Sequence, residues 1–393
     1  MTAPPSRSAP GAPVAPPPDI SGIAAVAELT RIQAVLVHDW LTGMRGGERV
    51  LEILCRVFPQ APVYTLIHNP AAVSDPINAH PIHTSFLQRV PGIFSHYRLL
   101  LPLFPAAVEH LRPPPADIVI STSHCVAKGI RPVRGTPHLC YCFTPMRYVW
   151  VFPDEYFGRD PLRRTLVRPL LRYLRWWDLR TTGRVDLFVA ISRHVQRRIE
   201  DCYHRPARVV YPPVNLDFFT VDPTTPREDF DLIVSALVPY KRIDIAVEAY
   251  NRLKFPLKII GSGSEYRVLR KMAGPHVEFL GRIPDSSIRQ YYRRARFLIF
   301  PGEEDFGLVP LEAQACGTPV IALDRGGVQE TILPGRTGIL FERQNPASLV
   351  EAVRTAERLR WDRTLIRRNA ERFSVSAFLQ GLADCVRECL SGH

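Results

Sequence analysis

The chain has 393 residues, of which 46% are hydrophobic and 22% charged, a composition typical of a globular protein with room for two domains. No apolar run approaches the roughly 18 residues of a membrane-spanning helix. The formal net charge is +12, but only five of the 50 basic residues are lysines and no nucleic-acid-binding motif accompanies them, so we expect no nucleic-acid partner.

The N-terminal part of the chain begins with a segment rich in Pro, Ala and Ser, and we predict that residues 1–30 form a disordered tail. Beyond it, short apolar runs alternate with helical patterns, which favours a doubly wound parallel sheet over residues 31–212. The predicted strands are 32–37, 62–67, 117–121, 138–142 and 186–191, and the predicted helices are 48–57 and 192–202.

A proline-rich stretch at 213–226 interrupts this alternation and indicates a linker. A second alternation follows over 227–374, and a last helix is predicted over 375–390. The predicted fold class is therefore α/β, with two Rossmann-like doubly wound domains. The predicted strands of the second domain are 231–237, 257–260, 277–280, 297–300 and 318–322, and its predicted helices are 242–253, 264–272, 286–294 and 346–359.

The segment 159–184 is basic and carries aromatic and aliphatic residues between its charges. It contains eight arginines and only two aspartates. This pattern is typical of a helix that contacts a membrane surface, but an ordinary amphipathic helix with a solvated arginine face fits it as well. The upstream segment 94–104 is a second candidate for a membrane contact, with burial in the core as its alternative.

The stretch 301–312 contains the most informative pattern in the chain. A short apolar strand ends just before a loop that carries Glu304, and Glu312 follows eight positions later on a predicted helix. Ligands of parallel α/β sheets bind at the carboxyl ends of strands, where two acceptor-only carboxylates suit a ligand rich in hydroxyl groups. The alternative is an acidic surface loop beside an ordinary helix.

Two of the rare lysines lie directly after predicted strands. Lys241, followed by Arg242, comes after the first strand of the second domain, where a cation is well placed to neutralise a diphosphate. Lys128 occupies a comparable place in the first domain. Because this chain uses arginine almost everywhere, a lysine at such a position indicates that a compact charge is needed; retention of a surface lysine is the alternative.

Glycines mark two further turns after strands. Gly46 and Gly47 precede the first predicted helix, and Gly261 and Gly263 follow another strand; such turns suit a phosphate but also any tight bend. Tyr266 replaces the third glycine of a dinucleotide fingerprint, which argues against an NAD enzyme. The Asp-x-Asp at Asp229–Asp231 precedes a strand and is interpreted as linker, so no metal site is predicted.

The segment 301–312, extended through Gly326–Glu330, resembles the donor-site motif of retaining GT-B glycosyltransferases of the family 4-like group. The block 140–150 resembles a mannosyltransferase-like subgroup that makes bacterial surface polysaccharides. The resemblance covers about residues 31–390. It implies that the two domains face each other across a cleft, that the first binds the acceptor and the second the nucleotide-sugar donor, and that 375–393 packs back on the first domain.

The resemblance also assigns roles to individual residues. Glu304 would position the donor sugar, Glu312 would bind the ribose, and Lys241 would stabilise the leaving diphosphate. Relatives often have a histidine at the position of Phe143, so His124 becomes the nearest candidate for contact with the sugar. The remaining implied donor contacts are Gly46, Gly47, Arg242, Gly261, Gly263, Phe306, Gly307 and Leu308, and the candidate acceptor contacts are Lys128, Arg147 and Tyr148.

We therefore expect a retaining, metal-independent hexosyltransferase without a cofactor. The best-matching donor is GDP-mannose, with a UDP-linked sugar as another possibility, and the acceptor is a lipid-linked saccharide at the inner face of a membrane, with a cytoplasmic, peripheral protein. Two alternatives remain: a nucleotide-sugar epimerase, and a binding protein that has lost catalysis. The second is motivated by Phe143 and by Ala236, where relatives usually carry an arginine.

Overall fold

The computed structural model describes residues 15–150 and 161–392, which divide into two compact units. The first unit contains residues 19–212 and the C-terminal residues from 375 onwards. The second contains residues 213–374 together with the short segment that ends at Pro18. The predicted linker 213–226 thus belongs to the second unit, where Val214 and Phe219 are buried.

The first unit is built on a seven-stranded sheet in which every neighbouring pair is parallel, in the order β3-β2-β1-β4-β5-β6-β7. The central strands are continuous runs of buried side chains, as expected when helices cover both faces of a parallel sheet. The strands are β1 Ala34–His38, β2 Val63–Thr65, β3 Ile82–Thr84, β4 Ile118–Ser123, β5 His138–Cys142, β6 Leu187–Ala190 and β7 Ala207–Val209.

Helices and short 3-10 turns pack around this sheet. The 3-10 turns that matter below are Tyr97–Leu103, Ala127–Gly129 and Thr181–Arg184. The described α-helices before residue 212 are α1 Ala24–Leu29, α2 Gly46–Val57, α3 Asp75–Asn78, α4 Ile93–His96, α5 Phe104–His110, α6 Arg147–Trp150, α7 Pro161–Arg180 and α8 Arg193–Tyr203.

The second unit repeats the architecture with a six-stranded parallel sheet in the order β10-β9-β8-β11-β12-β13. Its strands are β8 Asp231–Val234, β9 Leu257–Ile260, β10 Val277–Gly281, β11 Leu298–Phe300, β12 Val320–Leu323 and β13 Gly338–Phe341. Its helices are α9 Ile243–Leu253, α10 Tyr266–Met272, α11 Asp285–Arg294, α12 Leu308–Ala315, α13 Val328–Thr331, α14 Pro346–Glu357 and α15 Arg363–Glu371.

The last helix, α16 Val375–Ser391, packs on β5, β6 and α1 of the first unit. Its partner α1 shows that the prediction of a disordered tail is wrong for residues 15–30. Ala25 and Leu29 of α1 are buried, and Glu28 pairs with Arg387 of α16. Prolines dominate the sequence before α1, but the apolar residues of α1 are sufficient to pack it against α16. The other predicted tail residues, 1–14, lie outside the described residues.

The predicted fold class is confirmed: both sheets are parallel and doubly wound. In each sheet the first strand lies between the second and the fourth, so the chain reverses its direction of progress between β1 and β4 and between β8 and β11. Open α/β sheets bind ligands at such topological switch points, outside the carboxyl ends of the strands. Three short strands were not predicted from the sequence: Ile82–Thr84, Ala207–Val209 and Gly338–Phe341.

Candidate functional site

The switch point of the second sheet brings Lys241 and Glu304 into direct contact. Lys241 ends the 3-10 turn Pro239–Lys241 that follows β8, and Glu304 lies in the loop that follows β11. The Nζ of Lys241 donates a hydrogen bond to Oε1 of Glu304, and both side chains are largely buried. Two of the residues singled out in the sequence, 63 positions apart, thus form one charged pair.

A small cavity opens beside this pair, between the ends of β8 and β11. It is lined by Ser235 and Lys241 from one side and by Phe300, Gly302 and Glu304 from the other. A side chain on Gly302 would come within 2.8 Å of the carbonyl oxygen of Lys241, so glycine is needed where the two loops meet. The cavity therefore combines a cation, a carboxylate and backbone groups, the donor and acceptor types that a sugar phosphate requires.

Glu312 lies on α12 and is held by a neighbouring helix. The hydroxyl of Tyr292 on α11 donates a hydrogen bond to Oε2 of Glu312 at 3.0 Å. Burial raises the pKa of Tyr292 well above its usual range, so this hydroxyl keeps its proton. Tyr292 is not among the site residues predicted from the sequence. Its hydrogen bond restricts the orientation of Glu312.

Close backbone packing accounts for the glycines that follow Glu304 in the donor-like motif. The N–H of Gly327 donates to the carbonyl of Glu304 at 2.9 Å. A side chain on Gly326 would lie 2.2 Å from that carbonyl, and one on Gly327 would lie 2.3 Å from the Cα of Phe306. Gly307 has a φ of 91° at the start of α12. This loop is consequently fixed in shape, and Glu304 with it.

Three further predicted donor contacts lie in backbone packing or in a surface ion pair of the second unit. Gly261 and Gly263 pack against the backbone of Ser235 and Leu237, where an added side chain would approach a carbonyl to about 2 Å. Arg242 pairs with Asp244 at 3.0 Å on the surface. These contacts explain structurally why glycine or arginine occupies each position. That Gly261, Gly263 and Arg242 contact a nucleotide stays a prediction.

Two further motif residues flank the start of α12. Phe306 is buried edge-to-face against Phe373, which anchors the loop to the core of the second unit. Leu308 is the first residue of α12 and is half-buried. Their role as donor contacts also stays a prediction.

The interpretation of Asp229–Asp231 as linker needs a correction. Asp231 is the first residue of β8, and its buried carboxylate accepts hydrogen bonds from Tyr250 at 2.6 Å and from Arg296 at 2.9 Å. Because β8 begins at Asp231, this aspartate belongs to the sheet and not to a linker. Its carboxylate is occupied by core partners.

In the first sheet, the switch point holds His124 against a buried carboxylate that was not predicted from the sequence. Asp39 follows β1 and is completely buried. Its carboxylate accepts backbone N–H hydrogen bonds at 2.6–3.0 Å from the four residues 124–127 and lies 2.9 Å from Nδ1 of His124. Burial works to raise the pKa of Asp39, but His124 and these donors outweigh it and lower the pKa to about 2. Asp39 is therefore ionised.

Beside this pair lie His38 and the glycine turn. His38 ends β1, and its Nδ1 lies 2.7 Å from the hydroxyl of Thr122 on β4. A side chain on Gly47 would lie 3.2 Å from the ring of Phe143 and 3.5 Å from Cε1 of His38. Gly46 is the first residue of α2. The structure thus brings Gly47, His124 and Phe143 together at one edge of the sheet.

A second carboxylate of the first unit has the opposite character. Glu48, in the first turn of α2, accepts the N–H of Arg45 at 3.1 Å and is buried. Burial raises the pKa of Glu48, whereas the pKa of Asp39 is lowered. Pairs of carboxylates whose surroundings move their pKa values apart are typical of functional sites.

The prediction that Lys128 contacts the acceptor is wrong. Lys128 is buried, and its Nζ lies 2.9 Å from Oδ1 of Asp178 and 2.8 Å from the hydroxyl of Thr181. The other oxygen of Asp178 accepts hydrogen bonds from Trp150 and Tyr203. Lys128 does mark a position where a compact charge is needed. Its partner is Asp178 and not a ligand, and the pair links the loop after β4 to the end of α7.

The two other predicted acceptor contacts lie in α6. Arg147 is half-buried and its role stays a prediction, whereas Tyr148 is buried in the apolar core of the first unit. This burial does not support a contact between Tyr148 and the acceptor. The following residues 151–160 lie outside the described part of the chain.

The basic segment 159–184 contains α7, and from residue 165 onwards its two faces differ in chemistry. Leu174 and Trp177 are buried in the core of the first unit. Leu166 and Trp176 are 73% and 54% exposed on the outer face. In the turn Tyr97–Leu103, Leu99 is exposed as well, while Tyr97 and Leu101 belong to the same core cluster as Leu174 and Trp177. Among the described residues, no helix combines the length and apolar character that a membrane crossing requires.

Comparisons with known proteins match both halves of the chain. Residues 44–218 match the family model "Glycosyltransferase Family 4", and residues 222–373 match "Glycosyl transferases group 1". The chain is 30% identical over 184 residues to an uncharacterised glycosyltransferase of Methanocaldococcus jannaschii, covering 46% of this chain and 52% of the relative. It is 30% identical over 198 residues to a GDP-mannose-dependent α-(1-6)-phosphatidylinositol monomannoside mannosyltransferase of Mycolicibacterium smegmatis, covering 43% and 52%. The chain therefore spans about half the length of these relatives.

Solved structures resemble the chain over nearly its whole length. A sucrose-phosphate synthase from Thermosynechococcus elongatus has a TM-score of 0.68 at 18% identity, covering 92% of this chain and 100% of its own. The Anabaena protein HepE in complex with UDP has a TM-score of 0.65 at 17% identity, covering 90% and 100%. Identities this low show the fold alone. The two family models, together with the two doubly wound sheets, show that the chain belongs to the GT-B glycosyltransferases, with a family 4-like first domain and a group 1 second domain.

Proposed function

We propose that this protein transfers a hexosyl group from a nucleoside-diphosphate sugar to a saccharide carried by a lipid. The observation that carries the proposal is the cluster at the second switch point, where Lys241 contacts Glu304 beside a cavity and Tyr292 holds Glu312. One cation and two oriented carboxylates suit a ligand that carries a diphosphate and several hydroxyl groups.

The roles follow from charge and hydrogen bonding. Lys241 exchanges its contact with Glu304 for the diphosphate and stabilises the charge that develops on the leaving group. Glu304, released from Lys241, accepts hydrogen bonds from hydroxyls of the donor sugar, and Glu312 accepts them from the ribose. The charge stabilisation is supplied by side chains and requires no metal ion. Transfer with retention of configuration follows from the resemblance noted in the sequence.

The donor is GDP-mannose in this proposal, and a membrane-bound acceptor is part of it. The mannosyltransferase from M. smegmatis, similar to this chain, is GDP-mannose-dependent, whereas HepE is described with UDP, which makes uridine nucleotides the first competitor to test. The exposed Leu166 and Trp176 on the arginine-rich α7 support contact with an anionic membrane surface, at which a cytoplasmic enzyme reaches a lipid-linked saccharide.

The deciding experiment measures thermal stabilisation by nucleotides and nucleotide sugars in the presence of a chelator. A ligand that binds only the folded state at 100 times its Kd stabilises it by about 2.7 kcal/mol. We expect GDP and GDP-mannose to raise the Tm and UDP and UDP-glucose to have a smaller effect. A response to the uridine ligands alone would replace the proposed donor, and no response to any of them would contradict the function.

Variants of the cluster locate the binding. Glu312→Gln and Lys241→Met should each weaken nucleotide-sugar binding at least tenfold, because a charged hydrogen bond contributes about 1.5–3 kcal/mol. Tyr292→Phe should weaken it less, since Glu312 remains but is no longer oriented. The exposed Glu278 and Lys271 of the same unit provide the controls Glu278→Gln and Lys271→Met, which should bind like the wild type.

The epimerase and the non-catalytic binding protein are distinguished by the products. Incubation of GDP-mannose with a lipid-linked saccharide should release GDP only when both substrates are present. An epimerase would convert the nucleotide sugar without an acceptor, and a binding protein would release no GDP. The relatives described above favour the transferase.

A further inference from the structure

Gln344 makes side-chain hydrogen bonds to both loops that carry the charged pair of the second switch point. Its Oε1 accepts a hydrogen bond from Nη1 of Arg242 at 3.4 Å, and its Nε2 donates one to the carbonyl of Pro301 at 3.1 Å. Arg242 directly follows Lys241, and Pro301 opens the loop that leads to Glu304. One side chain in the loop after β13 therefore joins the loops after β8 and β11, although β12 separates β13 from β11 in the sheet.

The two partners fix the orientation of the amide and explain why an amide is needed at this position. A guanidinium can only donate hydrogen bonds, and a backbone carbonyl can only accept them. The oxygen of the Gln344 amide therefore faces Arg242, and its nitrogen faces Pro301. A carboxylate at position 344 could not donate to the carbonyl, and an ammonium group could not accept from the guanidinium. An apolar side chain would make neither bond.

Helix packing holds the two ends of this bridge in place. The residue after Gln344 is Asn345, whose side chain caps α14 by accepting the N–H of Ser348 at 2.9 Å. Arg242 is the residue before α9, and α9 and α14 pack against each other in the core of the second unit. Arg242 and Gln344 therefore directly precede two adjacent helices or their caps, and the core of the second unit sets the distance between them.

Arg242 has a backbone conformation that favours glycine. Its φ of 51° and ψ of 40° lie in the left-handed region, which a residue with a Cβ occupies at a cost in free energy. Its guanidinium contacts both Gln344 and Asp244, the latter at 3.0 Å. Strained residues persist where the surrounding structure holds them, and they cluster at ligand-binding sites. The strain at Arg242 therefore indicates that its side chain, and with it the bond to Gln344, has a use that glycine would lose.

We propose that Gln344 is a positioning residue of the donor site, which keeps the loops of Lys241 and Glu304 together when a ligand separates their charged side chains. The proposal rests on the proposed function, in which Lys241 exchanges its contact with Glu304 for the diphosphate. Gln344 itself touches neither the diphosphate nor the sugar in this proposal. It acts through Lys241, whose position it fixes by way of Arg242.

The bridge matters most once the donor is bound. In the free protein, Lys241 bonds Glu304 directly, and the backbone of Gly302 packs against that of Lys241. The exchange removes the direct bond and leaves the packing at Gly302 and the two hydrogen bonds of Gln344. A displacement of about 1 Å can reduce the effect of a charged group on a bound ligand severely. Loss of the bridge should consequently weaken the contact between Lys241 and a phosphate.

The first test is a double-mutant cycle that measures the affinity for GDP. Gln344→Met keeps the length of the side chain and removes both hydrogen bonds, and it should leave the Tm of the free protein close to that of the wild type. We expect this change to raise the Kd for GDP about fivefold. In a protein that already carries Lys241→Met, the same change should raise the Kd less than about twofold, because Gln344 acts through Lys241. The half-buried Gln290 of the same unit gives the control Gln290→Met, which should bind GDP like the wild type.

The cycle distinguishes failure of this inference from failure of the proposed function. Equal Kd values for the wild type and Gln344→Met, or equal fold-changes with and without Lys241, would overturn the positioning role while GDP binding by the wild type keeps the transferase proposal intact. If the wild type binds UDP and not GDP, the same cycle is measured with UDP. Binding of neither nucleotide by the wild type would contradict the proposed function and this inference together.

A second variant separates positioning from stability. In Arg242→Gly the backbone strain is relieved, so the Tm should stay unchanged or rise, whereas loss of the bond to Gln344 should raise the Kd for GDP. Adding Gln344→Met to Arg242→Gly should then have a smaller effect than in the wild type, because one of its two bonds is already gone. A lower Tm with an unchanged Kd would show that Arg242 and Gln344 only stabilise the fold, and it would overturn the proposal.

Discussion

Buried charges in the first unit connect loops that are distant in the sequence. Lys128 and Asp178 form an ion pair in which further partners satisfy both groups, namely Thr181 for the lysine and Trp150 and Tyr203 for the aspartate. The pair joins the loop that begins at His124 to the end of α7. Such a pair stabilises a fold only as long as both members are present, because one buried charge without the other is costly.

Lys128→Met should therefore destabilise the protein without impairing nucleotide binding. Removal of one member of a buried ion pair costs about 3–5 kcal/mol, since Asp178 would stay buried without its cation. Urea unfolding with Lys271→Met as the exposed control measures this change. A wild-type unfolding midpoint combined with loss of acceptor binding would restore the role that the sequence suggested for Lys128.

Stability should also depend on pH through two buried histidines. Burial lowers the pKa of His38 and His138 from 6.5 to about 4. Between these values the unfolded chain binds more protons than the folded chain, so the free energy of unfolding decreases as the pH falls from about 6.5 to about 4. Each ring contributes on the order of 3 kcal/mol to this decrease. Asp39, with a pKa of about 2, adds a loss only below about pH 4.

The measurement is the urea midpoint between about pH 7 and pH 4.5 for the wild type and for His138→Gln. This variant should lose roughly half of the pH dependence in that window, because one of the two buried rings is removed. The exposed His96 gives the control His96→Gln. Equal pH dependence in all three proteins would contradict the burial of a neutral His138.

At the scale of elements, α7 contains both an anchor and a free surface. Trp177 donates a hydrogen bond to Glu109 and packs in the core, whereas Leu166 and Trp176 on the same helix point into solvent. The guanidinium of Arg180 lies 5.3 Å from the ring of Trp176. Exposed aromatic and aliphatic residues beside arginines bind anionic interfaces through both apolar burial and charge.

We expect the protein to sediment with vesicles that contain phosphatidylglycerol and less with vesicles of phosphatidylcholine. The double variant Leu166→Ser/Trp176→Ser should reduce binding about tenfold, because each removed side chain contributes on the order of 1 kcal/mol or more of apolar burial. Tyr266, an exposed aromatic residue of the second unit, gives the control Tyr266→Ser. Equal binding of both vesicle types by all proteins would show that α7 is an ordinary amphipathic helix with a solvated arginine face.

For the whole molecule, the same strand order occurs in both units, and the C-terminal helix belongs to the first. Phe378 of α16 is buried and packs edge-on against Tyr141 of β5, with centroids 5.7 Å apart. The hydroxyl of Tyr141 donates to the carbonyl of Val210 at the end of the same unit. The last helix thus completes the first core after the chain has built the second.

Phe378→Ala should lower stability by about 3–5 kcal/mol, as for other large core aromatics. Thermal unfolding checks this, with the exposed Phe94→Ala as the matched control. A Tm equal to that of the control would show that the helix is not part of the folded core. This outcome would leave the first unit to be stabilised by residues 19–212 alone.

The sequence alone determined the fold class and half of the candidate site. Alternating strands and helices predict parallel sheets because local apolar patterns are enough to specify buried strands. The loop with Glu304 and the turn with Lys241 are also recognisable, since each directly follows a strand. The contact between Lys241 and Glu304 could not be read from the sequence, because only the strand order places the ends of β8 and β11 side by side.

Only the tertiary structure revealed Asp39 and corrected Lys128. Asp39 contacts residues about 85 positions away, and a lone aspartate after a strand carries no sequence signal of that. The same holds for Lys128, whose partner Asp178 is 50 positions distant. Residue type and spacing indicate where a charge is needed, but whether that charge meets a ligand or a buried partner depends on which segments the fold packs against it.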